Sequence, residues 1–306
     1  MIKIISFFSF LLILNSCNND DPGDVVLSSE ELNISGTKYA ESKNNFDNTY
    51  AIFKDSLTAN EAISIVAEVD HAANARTVGR VLNPTKIVFF GNPVLGTPLM
   101  QKNQLAGLDL PQKVVFFQNS SNTVYALYNS VPYLESRYNL QGVATLPQIS
   151  TALENLTQAA TSSEINRAIE LAVEIGEGVI TLESAQDFET TYSSLKSSIS
   201  TNENLSIVAE LDHQANAASV DLELRPTKII IFGNPNLGSP LMQNKQTTGL
   251  DLPQKMLVWE AANGTVNISY NDPLYLATRH KIEGNADVLD QISTALDNLA
   301  KTAAGN

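Results

Sequence analysis

The sequence predicts an α+β protein made of two tandem copies of one domain, each an antiparallel-rich sheet with helices packed on one face. The first observation is a self-match at an offset of 142 residues. Ser64-Ile65-Val66-Ala67-Glu68-Val69-Asp70-His71 returns as Ser206-Ile207-Val208-Ala209-Glu210-Leu211-Asp212-His213, and Leu110-Pro111-Gln112-Lys113 returns as Leu252-Pro253-Gln254-Lys255. The match runs without a gap from Glu41/Glu183 to Arg137/Arg279, with roughly half the positions identical. A period this long gives each copy its own set of elements and its own core, unlike a solenoid repeat. The second observation is that β-branched runs alternate with stretches of helical period. The third is Asn263-Gly264 between two strand-like runs, a strong hairpin signal.

The first segment reads as a leader. Met1-Ile2-Lys3 carries one positive charge, and Ile4 to Leu14 is apolar, about half of the ~20 residues a membrane-spanning helix needs. Leu14-Asn15-Ser16-Cys17 then resembles a bacterial lipobox. The expectation is a signal peptide over 1–16, cleavage before Cys17, and acylation of its thiol as a palmitate-type lipid anchor. Cys17 is the single cysteine, so no internal disulfide can form. Residues 17–33, with Asn18-Asn19-Asp20-Asp21 directly after the cysteine, are expected to form an acidic tether, which resembles the surface-export signals of Bacteroidetes-type lipoproteins. The expected location is the bacterial cell envelope, as an outer-membrane lipoprotein held to the bilayer through Cys17.

The first repeat domain is expected over 34–158, a helical connector over 159–175, and the second repeat domain over 176–306. Ile165, Ile169, Ala172 and Ile175 at helical spacing suggest the connector, or an extension of the first copy's last helix. The second copy is the cleaner template. Val179 to Glu183 reads as a strand, and Phe188 to Ile199 as a helix with Phe188, Tyr192, Leu195 and Ile199 on one face. Leu205 to Leu211 is a strand leading into a short helix from His213 to Ala218. Pro226 opens a strand through Phe232, at a position that tolerates its missing N–H. Met256 to Glu260 and Thr265 to Tyr270 form the hairpin, and a last helix starts near Ala286 with Val288, Leu289, Ile292, Leu296 and Leu299 on one face. The aromatic residues Phe89, Phe90, Phe116, Phe117 and Trp259 fall in strand runs and read as core.

Leu224-Arg225-Pro226-Thr227-Lys228, Phe232-Gly233-Asn234-Pro235, Gly238-Ser239-Pro240-Leu241-Met242-Gln243, Gly249-Leu250-Asp251-Leu252-Pro253, Val258-Trp259-Glu260 and Tyr270-Asn271-Asp272-Pro273 together resemble the domain-of-unknown-function family 302. The resemblance covers nearly all of both copies. It implies a β-α-β4-α fold of the TATA-binding-protein-like type and no particular activity. The first copy departs from the pattern: Arg225 becomes Asn83, Trp259 Phe117, Glu260 Gln118, Asp272 Ser130 and His280 Tyr138.

The formal charge of −14 and the lack of Lys/Arg clusters argue against a nucleic-acid partner. Two constellations could bind a ligand. One is Glu-x-Asp-His, at Glu68, Asp70, His71 and at Glu210, Asp212, His213. On a strand the two carboxylates share a face about 7 Å apart, which would raise one pKa beside an imidazole base or metal ligand. Asp212 and His213 are the metal candidates. The plainer reading makes Asp212 a helix cap. The other constellation is the glycine loop Gly91, Asn92, Gly96, Thr97 and its twin Gly233, Asn234, Gly238, Ser239. Here Thr97 and Ser239 read as N-caps, with Pro98 and Pro240 at the first helical position. Such a loop can hold an anion on backbone N–H groups, with Lys113 and Lys255 as complementary cations, or it can simply be a capped turn. It lacks the lysine of a nucleotide-binding P-loop.

These readings converge on an envelope module of uncertain enzymatic status, without an evident cofactor, that binds a small polar or anionic ligand or a protein partner. The two repeats are expected to pack as an internal pseudo-dimer with the sites near the shared interface. The alternatives are a metal-binding or acid–base enzyme using the Glu-x-Asp-His strand end, and a purely structural role.

Overall fold

A computed structural model describes residues 32–168 and 173–306. The expected signal peptide, the expected lipidation site Cys17 and most of the expected tether lie outside the described residues. Copy one runs β1 (Thr37–Glu41), α1 (Phe46–Thr58), β2 (Ser64–Asp70), α2 (His71–Thr77), β3 (Thr85–Gly91), α3 (Pro93–Lys102), a 3-10 turn at Gln104–Leu108, β4 (Gln112–Gln118), β5 (Val124–Asn129), α4 (Val131–Tyr138) and α5 (Leu146–Thr161). A short strand β6 (Asn166–Arg167) follows. Copy two repeats the plan with β7 (Val179–Glu183), α6 (Phe188–Ser200), β8 (Ser206–Asp212), α7 (His213–Ala218), β9 (Thr227–Gly233), α8 (Pro235–Asn244), a 3-10 turn at Gln246–Leu250, β10 (Gln254–Glu260), β11 (Val266–Asn271), α9 (Pro273–Arg279) and α10 (Ala286–Ala304).

The two sheets have the orders β2-β3-β4-β5-β1-β6 and β7-β11-β10-β9-β8, and all pairs are antiparallel. This is the predicted α+β architecture. Gly264, at φ +84°, closes the hairpin between β10 and β11 as Asn263-Gly264 suggested.

One face of each sheet carries the helices. Val88, Phe90, Val114, Phe116 and Tyr128 pack under α1 and α5, with the Phe53 ring at 5.6 Å from Phe90 and 5.0 Å from Phe116 in edge-on contact. Ile230, Phe232, Met256, Val258 and Ile268 do the same under α6 and α10. The opposite faces are buried too. Ile87, Phe89, Val115, Phe117 and Leu127 meet Ile231 and Leu250 of copy two, while Leu108 of copy one lies against Ile229 and Leu257. Burial on both faces explains why β3, β4, β9 and β10 each carry an unbroken apolar run in their middle instead of alternating. The phenyl rings fall in the core as expected, and Trp259 is half-buried with its Nε1–H donating to Ser269 Oγ at 3.0 Å.

Two expectations are corrected around the connector. Ser162 ends α5 in the left-handed region, and Asn166 and Arg167 then pair with Tyr39 and Lys38 as an added edge strand. Over 162–168, therefore, the connector is extended and not helical; an exposed edge of β1 captures it. At the other end, Leu32 and Ile34 are already buried at 3% and 1%, so the fold starts inside the stretch assigned to the tether.

Candidate functional site

Along the seam between the copies run two clefts related by the internal repeat. Phe90, Leu110 and Leu153 of copy one face Leu211, His213 and Asn216 of copy two across about 220 Å³. The second cleft sets Phe232, Leu252 and Leu296 of copy two against Val69, His71 and Asn74 of copy one, across about 340 Å³. Each is therefore walled by the glycine loop of one copy and the histidine of the other. Gly91, Asn92, Gly96 and Thr97 line the first; Gly233, Asn234, Gly238 and Ser239 line the second. These volumes suit small ligands at or below the usual range of binding cavities.

The histidines open the short helices α2 and α7 and are almost fully buried, at 4% and 3% exposure. His71 makes backbone hydrogen bonds to Gly249 and Leu252, and His213 to Gly107, so each is fastened to the 3-10 turn region of the opposite copy. The Nε2 of each ring has no hydrogen-bond partner. Burial pushes both imidazoles down to about 4, which keeps them neutral at ordinary pH.

The carboxylates of the Glu-x-Asp-His motif do not join these histidines. Asp70 Oδ1 accepts from Ala73 N at 2.7 Å and Asp212 Oδ1 from Ala215 N at 2.8 Å, capping α2 and α7. Glu68 accepts from Tyr50 at 2.6 Å and pairs with Lys54 at 2.8 Å; Glu210 does so with Tyr192 at 2.7 Å and Lys196 at 2.9 Å. The expected rise of one carboxyl pKa is reversed. Burial alone would raise Glu68 and Glu210, but the bonds from lysine and tyrosine outweigh it and hold both carboxyls below their usual value. Among the described residues, no group of three or more His, Cys, Asp or Glu side chains is placed to hold a metal ion.

The glycine loops also differ from expectation. Asn92 Oδ1 accepts from Val94 N and Asn234 Oδ1 from Asn236 N, both at 2.9 Å, so these asparagines are the N-caps, with Pro93 and Pro235 in the first turn. Thr97 and Ser239 lie inside the helices, 1% exposed, and the Ser239 hydroxyl is unpartnered. The cue was present as Asn-Pro five residues upstream of Thr-Pro and Ser-Pro. An asparagine cap is as good as a threonine one.

Lys113 and Lys255 are not beside the glycine loops. They point into a buried charged centre where the copies meet. Lys113 Nζ lies 2.7 Å from Asp109 and 3.7 Å from Asp251, and Lys255 Nζ lies 3.6 Å from Asp109. Arg137 and Tyr138 bind Asp109 Oδ2 at 2.9 and 2.8 Å; Arg279 and His280 bind Asp251 Oδ2, both at 2.8 Å. The arginines also cross the seam, Arg137 to Asn271 at 2.9 Å and Arg279 to Asn129 at 2.8 Å. Burial would raise both carboxyls, yet the surrounding cations hold them well below the usual range. Lys255 has no hydrogen bond, and burial beside Lys113 brings it down to about 7. An anion at the glycine loops thus lacks the lysines expected to complement it. Sequence reading missed Asp109, Asp251, Arg137 and Arg279; their signal was the doubled Asp-Leu-Pro-Gln-Lys and the doubled arginine.

Two α+β units clasped sheet to sheet, with a shared ionic centre and paired clefts, define a tandem-module protein. The chain belongs to the family described as domain of unknown function DUF302, whose pattern matches residues 38–162 and 180–299. Two fluoride-specific ion channels, FluC 1 of Brucella suis biovar 1 and FluC 2 of Brucella melitensis biotype 1, are each 36% identical to it over 143 residues. That stretch is 46% of this chain and 56% and 53% of theirs. This chain thus spans about half the length of the curated relatives it matches. The crystal structure of an uncharacterized conserved DUF302 protein from Bacillus stearothermophilus matches with a TM-score of 0.37 at 18% identity, covering 42% of this chain and 98% of that one.

Proposed function

We propose that this chain is an envelope-anchored module that binds a small molecule in the two clefts between its copies. The observation that carries the reading is the orphaned imidazole nitrogen in each cleft. A buried polar atom without a partner is unfavourable by ~1–3 kcal/mol, and a ligand that bonds to it recovers that energy. Its doubling by the repeat, at His71 and His213, supports a ligand over an accident of packing. The lipobox at Leu14 to Cys17 supports the anchoring, with the bilayer as the partner of the acylated cysteine.

The test is a thermal-shift screen of the whole chain against small metabolites, repeated on His71→Phe and His213→Phe. A ligand at a hundred times its Kd adds about 2.7 kcal/mol of stability. Hits lost in the phenylalanine variants support the clefts, whereas hits that survive both place binding elsewhere. For the anchor, Cys17→Ser should move the protein from the membrane fraction to the soluble fraction. Kinship with proteins named as fluoride channels suggests that the shared segment serves as an accessory module. Among the described residues no helix is long and apolar enough to cross a membrane.

A further inference from the structure

We infer that the ligand of the two clefts is an uncharged molecule with an apolar body and a carboxamide-like head, one that both donates and accepts a hydrogen bond. This rests on the cleft reading above and narrows its chemistry.

Charge comes first. No Asp, Glu, Lys or Arg lines either cleft, in a chain whose residues are 17% charged. Apolar side chains make up most of the wall surface, so an ion would enter without a counter-charge and lose its hydration. The histidines do not supply one, since burial holds both rings neutral. Carboxylates, phosphates and ammonium compounds are disfavoured alike.

The tautomer comes next. The His213 ring bonds to the backbone of Gly107, and the His71 ring to the backbone of Gly249 and Leu252, in each case favouring the ring's protonated form. The neutral ring carries only one N–H. The unpartnered Nε2 is an N–H donor in one tautomer and a lone pair in the other, and a ligand head that both donates and accepts satisfies it in either.

The remaining orphaned atoms set the other half. Gln112 Nε2 lines the first cleft with no acceptor, and Ser239 Oγ lines the second with no partner. An amide N–H2 donates and a hydroxyl can donate, so the ligand must also accept. A carboxylate lacks the donor and an alkylammonium lacks the acceptor, whereas a carboxamide has both on one small group. About 220 and 340 Å³ leave room for a short acyl chain or one aromatic ring behind it.

The experiment is calorimetric titration of the whole chain at pH 7.5 with octanamide, octanoate and octylamine, which share one tail and differ in the head. Octanamide should bind at least tenfold more tightly than either ion, and its affinity should fall at least tenfold in the His71→Phe/His213→Phe double variant. Octanoate or octylamine binding as well as octanamide overturns the inference, as does octanamide binding unchanged by the double variant. If none of the three binds, the carboxamide class is wrong. The cleft reading still stands if another compound from the screen shows histidine-dependent binding, and falls with it if none does.

Discussion

At the scale of single residues, the buried histidines make stability depend on acid. His71 and His213 sit at about 4 in the fold, against 6.5 when unfolded. Between those values the unfolded chain holds protons that the folded chain does not. The histidines' contribution is therefore whole above pH 6.5 and is lost as pH drops towards 4, by about 3 kcal/mol for each ring. Urea titrations at pH 7.5, 6 and 5 should show this, and His71→Phe/His213→Phe should lessen the fall, leaving the share of His280, which burial also holds down. Lys255 works at the other end. Its folded value of about 7 lies below the ordinary 10.5, so below pH 7 the ammonium is buried at full penalty, and stability rises as pH climbs from 7 to 10.5. Lys255→Met should leave stability at pH 7 unchanged or raise it, and should remove that rise. Asp109→Ala instead strands Lys113 and Arg137 and should lower stability by about 3–5 kcal/mol in the same assay.

At the scale of elements, the sequence displayed most strands and helices because period and composition agreed. Val179 to Glu183 and His213 to Ala218 have the predicted bounds. α3 and α8 escaped because their start was sought at Thr97 and Ser239, where a proline follows a hydroxyl residue. The true caps give a clear expectation. Asn234→Ala should lower the unfolding free energy by about 1 kcal/mol, while Ser239→Ala, which removes an unpartnered hydroxyl, should be neutral or slightly stabilising. Denaturant midpoints of the two variants decide between Asn234 and Ser239 as the cap. The clefts were half legible. Both the glycine loop and the histidine stood out in the chain, but their pairing across copies depends on a sheet-to-sheet contact that periodicity does not encode. The carboxylates misled because on a strand a shared face says nothing about which neighbours that face meets.

At the scale of the molecule, the copies share one interior. The faces of the sheets away from the helices are covered by each other, and each 3-10 turn lies on the partner sheet, as with Leu108 against Ile229 and Leu257. A single copy cut free would expose Ile87, Phe89, Val115 and Phe117 and aggregate. A protease site placed between 162 and 168 should yield two fragments that stay together in gel filtration and unfold in a single transition. Fragments that elute apart would show that the seam is weaker than its buried area indicates.

The seam also has a hereditary side. Were one copy to assemble with an identical twin, every change in its gene would strike both clefts and both halves of the ionic centre at once. Joined in one chain, the halves have been free to drift. Tyr138 answers Asp109 where His280 answers Asp251, and Lys113 holds Asp109 at 2.7 Å where Lys255 stands 3.6 Å from the same carboxylate. Each cleft is written half in one copy and half in the other, yet the two share no lining residue, so a single mutation alters one cleft and leaves the other as it was. The duplication thus turns one ancestral site into two that selection can tune separately while their frame stays common.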